Sequence, residues 1–430
     1  MELMKKLKDP ELVWRFQKFC GIERKPKIFP VSNKVESDNK GKNNLRLRYV
    51  DLVQTSELHG DLGCQPRSEV TRSKLKTEEK NTDSDSQFSE EGSDAELLTK
   101  QDEYVVKNSL LYYLFSFGAS LGNEIFYCSF FPYWFWNIDG YVGRRVSAFW
   151  CIFMYIGQAT KDVIKWPRPQ SPPVVRMEKR YAEEYGMPST HAMVGAGVPF
   201  TVLYFCASRY DIPLGIGLAI CTVWCAIVCM SRVYLGMHSV LDIIAGLIYV
   251  IILMPIFLPL LDILDEFALN HPFAPVYCIV IPLVLGICYP SLEKWSTCRG
   301  DTILILGVES GVLIGHWVAF QTGFMKRATT LPPYTIMYPS WTWFCLMVVR
   351  YFLGAVVLVG TRAVMKLVTL NTVCFIFGLN KKDLAVRQSL LVELPLKYLT
   401  YSVIAFNVVY TSPYLFRYLG VERETCYTEI

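Results

Sequence analysis

Only five histidines occur in this 430-residue chain, so imidazole chemistry has few places to sit. Charge is thin as well. Asp, Glu, Lys and Arg make up 19% of the residues, and the net charge of +4 is too small for a nucleic-acid surface. No basic patch interleaved with aromatics occurs, so nucleic acid is not among the expected partners. There is no Asn-x-Ser/Thr acceptor, and no CaaX box, because Cys426 stands one position too early. Residues 1–22 do not read as a signal peptide, since Lys5, Lys6, Lys8, Arg15 and Lys18 break their apolar stretch. Metal-ligand spacing is missing too. Many of the fourteen cysteines lie in apolar runs, and Cys221, Cys225 and Cys229 repeat every four residues with no histidine beside them. They read as small hydrophobes, and no metal is expected.

What is abundant is apolar. Hydrophobic residues make up 52% of the chain and aromatics 14%, and few soluble globular proteins are so apolar over this length. A membrane-crossing helix needs ~20 apolar residues. Nine stretches qualify: 110–135, 146–164, 190–207, 212–230, 238–261, 274–290, 302–322, 341–361 and 397–418. Aromatics such as Tyr133-Trp134-Phe135-Trp136 cluster near their edges, as interfacial belts do. Residues 364–378 are apolar but short, and are expected as an interfacial or re-entrant helix. Residues 23–103 are polar and carry an acidic, Ser-rich tract that cannot bury enough surface to fold alone. Residues 1–22 read either as a short amphipathic helix on the membrane surface or as a flexible start. The expected fold is therefore all-α. A largely disordered tail over 1–103 precedes a polytopic membrane domain over 104–420 with about nine transmembrane helices; 421–430 form a C-terminal tail.

Three polar islands interrupt the apolar landscape. The first is Lys161, six residues, then Arg168-Pro169. The second is Pro188-Ser189-Thr190-His191, and the third runs from Ser231-Arg232 through His238 to Asp242. Taken singly, each has an ordinary explanation: a basic membrane flank, a helix N-cap, a core histidine. Together, in this order and each at the edge of an apolar segment, they form a phosphoryl-transfer set. Lys161, Arg168 and Arg232 can neutralise the charge that a phosphoryl transition state spreads over its oxygens. Ser189 and Thr190 stand at a helix N-terminus, where free N–H groups favour an anion. His238 and Asp242, four residues apart, share a helix face, so the carboxylate can orient the ring for attack. His191 is then the general acid. Because the intervening spans run back and forth, all three islands emerge on one face. The Pro-rich loop 165–188 lies over them as a candidate lid.

The pattern K-x6-R-P, P-S-T-H, S-R-x5-H-x3-D resembles the type 2 phosphatidic acid phosphatase (PAP2) superfamily, with Thr190 where that family often has Gly. Within it, the stretches 165–174 and 185–193, together with Val392-Glu393-Leu394-Pro395, are similar to sphingosine-1-phosphate phosphatases. The resemblance implies a PAP2-type helical core over about 144–262. It also implies hydrolysis of sphingosine 1-phosphate and related long-chain base phosphates through a phospho-histidine intermediate, with no cofactor. Its partners would be a lipid phosphate substrate and membrane lipids, in the endoplasmic reticulum membrane. Other lipid or soluble phosphomonoesters, or a non-catalytic lipid-binding or transport role, are the alternatives. Glu124, Glu309, His316 and Arg350 lie inside spans, where charge is costly and pairs up. Glu309 with Arg350 is one expected pair. Glu124, and after it Glu309, are the candidates to meet a sphingoid ammonium. Nine single spans would put the N-terminal tail and the islands on one side, and the basic loops would make that side cytosolic. The resemblance implies a lumenal site, which a hairpin at 110–135 would reconcile with a cytosolic tail.

Overall fold

The computed structural model describes residues 2–24, 104–178, 181, 183–290, 296–336 and 340–429. The Ser-rich acidic tract lies outside the described residues.

Capping residues at the edges of the apolar runs set where helices begin. Asp9 caps the join between α1 (Glu2–Lys8) and α2 (Pro10–Phe19), with Pro10 at the first helical position. β1 (Ile22–Arg24) then pairs antiparallel with β2 (Tyr104–Val106), Ile22 opposite Val106. Asn108 caps α3 (Ser109–Ser120), which is followed by α4 (Glu124–Asn137). Asp139 accepts from the Tyr141 and Val142 amides at the head of α5 (Gly140–Ile164). After the loop come α6 (Thr190–Arg209), α7 (Leu214–Tyr234), α8 (Val240–Asn270), α9 (Ala274–Ile287) and α10 (Thr297–Gln321). The chain continues as α11 (Trp341–Ile376), α12 (Leu384–Gln388), α13 (Leu390–Phe406), a π-helical turn (Asn407–Thr411), α14 (Ser412–Tyr418) and a 3₁₀ turn (Glu424–Thr428). Among the described residues, α6, α7, α8, α10 and α11 are long and apolar enough to cross a membrane, and α9 is apolar but shorter. The protein is a multi-pass, helical membrane protein.

Without a hydrophobic drive between helices in lipid, close approach comes from small residues. Gly307, Gly311 and Gly315 form such a stripe on α10. An added Cβ at the first two would run into the backbone of α13 at Tyr398 and Ser402. A continuous core joins α4, α5, α6, α8, α10 and the residues following α13, with Tyr127 stacked on Trp150 at 5.3 Å.

Four boundaries differ from the sequence reading. The stretch 110–135 is not one helix: Leu121, Gly122 and Asn123 break it, and Gly122 lies so close to His191 that only a glycine fits. Residues 364–376 are not a separate interfacial helix but continue α11, since no Gly or Pro stands between Gly360 and Gly378 to stop it. Residues 2–24 pack with the membrane unit. Gln17, fully buried, donates to the Val175 and Tyr234 carbonyls at 2.7 and 2.9 Å and accepts from the Val175 amide at 3.0 Å. Residues 421–429 are likewise packed in. Glu429 is buried, pairs with Arg423 and accepts from the Gly140 amide at 2.6 Å. Arg350 bonds to Asn137 Oδ1 at 3.0 Å and to the Val421 carbonyl, so the expected pair with Glu309 does not form.

Candidate active site

The site is assembled from helix ends. Lys161 is in the last turn of α5, and Pro167 and Pro169 prevent that helix from continuing through Arg168. Ser189 caps α6, accepting from the Ala192 amide, and puts Thr190 and His191 in the first turn. Arg232 closes α7. The turn to α8 needs Gly236 at φ 69°, where a side chain would be strained and would collide with the Val175 carbonyl. His238 follows. Ser239 and Asp242 then cap α8 reciprocally: the Asp242 amide donates to Ser239 Oγ, and the Ser239 amide donates to Asp242 Oδ2 at 2.7 Å.

These pieces meet at one end of the bundle. Arg168 donates from Nε to the Glu184 carbonyl and from Nη1 to the Met237 carbonyl, both at 2.7 Å, and Nη1 lies 3.3 Å from His238 Nε2. Lys161 Nζ is 3.2 Å from Glu184 Oε2 and 3.4 Å from Thr190 Oγ1. Arg232 Nη2 donates to Glu178 Oε2. His191 Nε2 is 3.3 Å from Asn123 Oδ1, in the break between α3 and α4. Lys161, Arg168, Arg232 and His238 are all buried. Residues 2–24 are seated at this same end, with Lys8 over the Trp166 ring and Gln17 on Val175, so the N-terminal helices and the islands share a face.

Asp242 has a second duty that its spacing from His238 does not reveal. Its Oδ2 is held by the α8 cap and stands 3.8 Å from His238 Nδ1, beyond hydrogen-bond distance. Burial, then the nearby Arg168, Lys161 and Arg232, hold the His238 imidazolium well below its ordinary range, so the ring is neutral at pH 7. Burial works against the Glu184 carboxylate, but Lys161, Arg168 and the Thr297 hydroxyl outweigh it and hold its pKa below the usual value.

Glu184, Glu178, Tyr181, Asn123 and Thr297 are the residues that the motif reading passes over. The first three belong to loop 165–189. Glu184 ties Lys161 and Arg168 to Thr297 at the start of α10, Glu178 holds Arg232, and Tyr181 meets the His191 ring edge-on at 5.8 Å. The expected lid thus touches each of the cationic and imidazole groups. Its acidic residues, in a loop flanked by cations, were the available signal. Of the two carboxylates expected to meet an ammonium, Glu309 lies buried near Ser147 and Arg144, twelve residues along α10 from Thr297. That is about 18 Å of helix, so the fold does not bring it to the phosphate site. Glu124 adjoins Asn123, and its side chain lies outside what the structure describes.

Residues 129–262 match the PAP2 superfamily. Sphingosine-1-phosphate phosphatase 1 of Mus musculus is 36% identical over 97% of this chain and 98% of its own. Sphingosine-1-phosphate phosphatase 2 of Homo sapiens is 34% identical over 98% of this chain and 99% of its own. The chain belongs to the sphingosine-1-phosphate phosphatase family. A dihydrosphingosine 1-phosphate phosphatase of Schizosaccharomyces pombe is 27% identical over 54% of this chain and 58% of its own. No solved structure matches. As a PAP2 phosphatase the chain carries all three islands within the matched segment, whereas Asn123 and Thr297 reach the site from outside it.

Proposed function

We propose that this chain hydrolyses sphingosine 1-phosphate and related long-chain base phosphates to the free base and phosphate, in the endoplasmic reticulum membrane. The observation that carries the reading is the gathering of Lys161, Arg168, Arg232, His191 and His238 at one cluster of helix ends. End-to-end similarity to phosphatases named for that substrate supports the choice of lipid. His238 Nε2 attacks phosphorus, the ester P–O bond breaks, and His191 gives the departing alkoxide its proton. Water then attacks the phosphorus, His191 takes the proton of that water, and the P–N bond breaks to release phosphate. Lys161, Arg168 and Arg232 neutralise the charge on the non-bridging oxygens, and Ser189, Thr190 and the first amides of α6 complete the cradle.

The test is phosphate release by the purified protein in detergent, with sphingosine 1-phosphate, its dihydro form, phosphatidic acid, a polyisoprenyl phosphate and a sugar phosphate. The long-chain base phosphates should have the highest kcat/KM. A preference for the sugar phosphate or for phosphatidic acid would replace the substrate assignment, and no release from any of them would make the chain a lipid-binding member.

A further inference from the structure

We propose that Glu178 is the residue that distinguishes a substrate bearing a free amine from one that does not, an inference that rests on the phosphatase reading above. Arg232 is buried, and only one arm of its guanidinium is engaged: Nη2 donates to Glu178, while Nε and Nη1 have no hydrogen-bond partner among the described residues. Unpaired donors buried beside Lys161, Arg168 and the two imidazoles are free for an anion. A phosphate taking one of these free N–H groups comes to rest against the same guanidinium that Glu178 holds through Nη2.

The two loop carboxylates are not equivalent. Glu184 is locked by Lys161, Arg168 and Thr297, with a side chain only 9% exposed, so it serves as permanent counter-charge. The Glu178 side chain is 20% exposed and meets a single arm of Arg232. Its backbone is steadied by the Met177 amide, which donates to the Leu235 carbonyl at 3.0 Å next to the turn that carries His238. The carboxylate is therefore presented at the edge of the phosphate cradle from a loop segment anchored at Met177.

Charge then decides between ligands. A dianionic phosphate draws on the positive charge of Arg232 and leaves Glu178 less compensated. A sphingoid base phosphate brings its own ammonium, on the carbon next to the one bearing the ester oxygen, and that cation can pair with Glu178. An N-acylated or glycerolipid phosphate has no such cation, so Glu178 repels it. Discrimination arises from the penalty on the wrong ligand as much as from the attraction of the right one.

The test compares kcat/KM for sphingosine 1-phosphate with that for its N-acetyl analogue in the full-length protein. The ratio of the two is independent of how much of a preparation is folded. The wild type should favour the free amine; Glu178→Asp should keep that preference, and Glu178→Gln should reduce it by about tenfold, the order expected when one charge pair is removed from a water-poor site. If Glu178→Gln lowers both substrates in parallel, the residue only holds Arg232 and the assignment is wrong. If the ratio instead collapses in Glu124→Gln, the ammonium contact lies at the α3–α4 break. A wild type that fails to hydrolyse the free-amine substrate overturns the phosphatase reading itself, and with it this one.

Discussion

Arg168 Nη1 lies 3.3 Å from His238 Nε2. A guanidinium has no acceptor, so that nitrogen presents its lone pair and the ring proton sits on Nδ1. Nδ1 is the nitrogen that faces Asp242 Oδ2. The tautomer that leaves Nε2 free to attack is thus favoured from both sides, by a donor on one and a carboxylate on the other.

His238→Ala should abolish turnover, and acid quenching during turnover should trap acid-labile phosphate on the wild type but not on this variant. Trapping that survives the substitution would move the nucleophile elsewhere.

Neutral, buried His238 also makes stability depend on pH. Its folded pKa is depressed below the ordinary ~6.5, so the unfolded chain binds this proton first as pH falls. Stability is therefore lost on acidification below about 6.5, by up to ~1.4 kcal/mol per pH unit for this one group. Thermal melts at pH 7 and 5.5 should show a smaller drop in Tm for His238→Gln than for wild type. Equal drops would mean that the ring is not held neutral.

Removing the Glu184 carboxylate leaves Lys161 and Arg168 buried without their shared counter-charge. Breaking such a pair costs ~3–5 kcal/mol. Glu184→Gln should accordingly melt lower and turn over more slowly, and added inorganic phosphate should restore more of its Tm than it adds to wild type. No difference in phosphate response would show that the carboxylate does not stand against the phosphate cradle.

Asn123 Oδ1, as an acceptor, keeps a proton on His191 Nε2. Both His191→Gln and Asn123→Ala should slow alkyl phosphates, with poor leaving groups, more than aryl phosphates, His191→Gln by ~10²-fold or more. A loss that ignores the leaving group would argue against acid catalysis by His191.

Because Lys161, Arg168 and Arg232 supply the positive charge, phosphate release should continue in excess EDTA. Loss of activity restored by Mg²⁺ would refute that assignment.

The islands were legible in sequence because each sits at a helix end, where span counting alone tells which residues share a face. The pairings that hold them were not. Glu184 reaches Thr297 across 113 residues and four intervening helices, and nothing in local periodicity connects positions so far apart. Gln17 gave no signal either, since a glutamine among lysines on an amphipathic helix looks solvated until its partners at Val175 and Tyr234 are known. The break before α4 was readable in principle, as Leu121-Gly122-Asn123 is a turn sequence set in an apolar run. The apolar run dominated because length and hydropathy are blind to a glycine placed for a neighbouring side chain.

Gln17 fastens the start of the chain to the catalytic end of the bundle, and Glu429 fastens its last described residues to Gly140. Gly140 and Lys161 lie near opposite ends of the same 25-residue helix, α5. At 1.5 Å per residue α5 is about 37 Å long, more than the thickness of a hydrocarbon layer. Epitopes ahead of α1 and behind Glu429 would therefore sit near opposite ends of α5, the first of them at the end where the three islands meet. Selective permeabilisation with two antibodies would orient the reaction without altering any residue of the site.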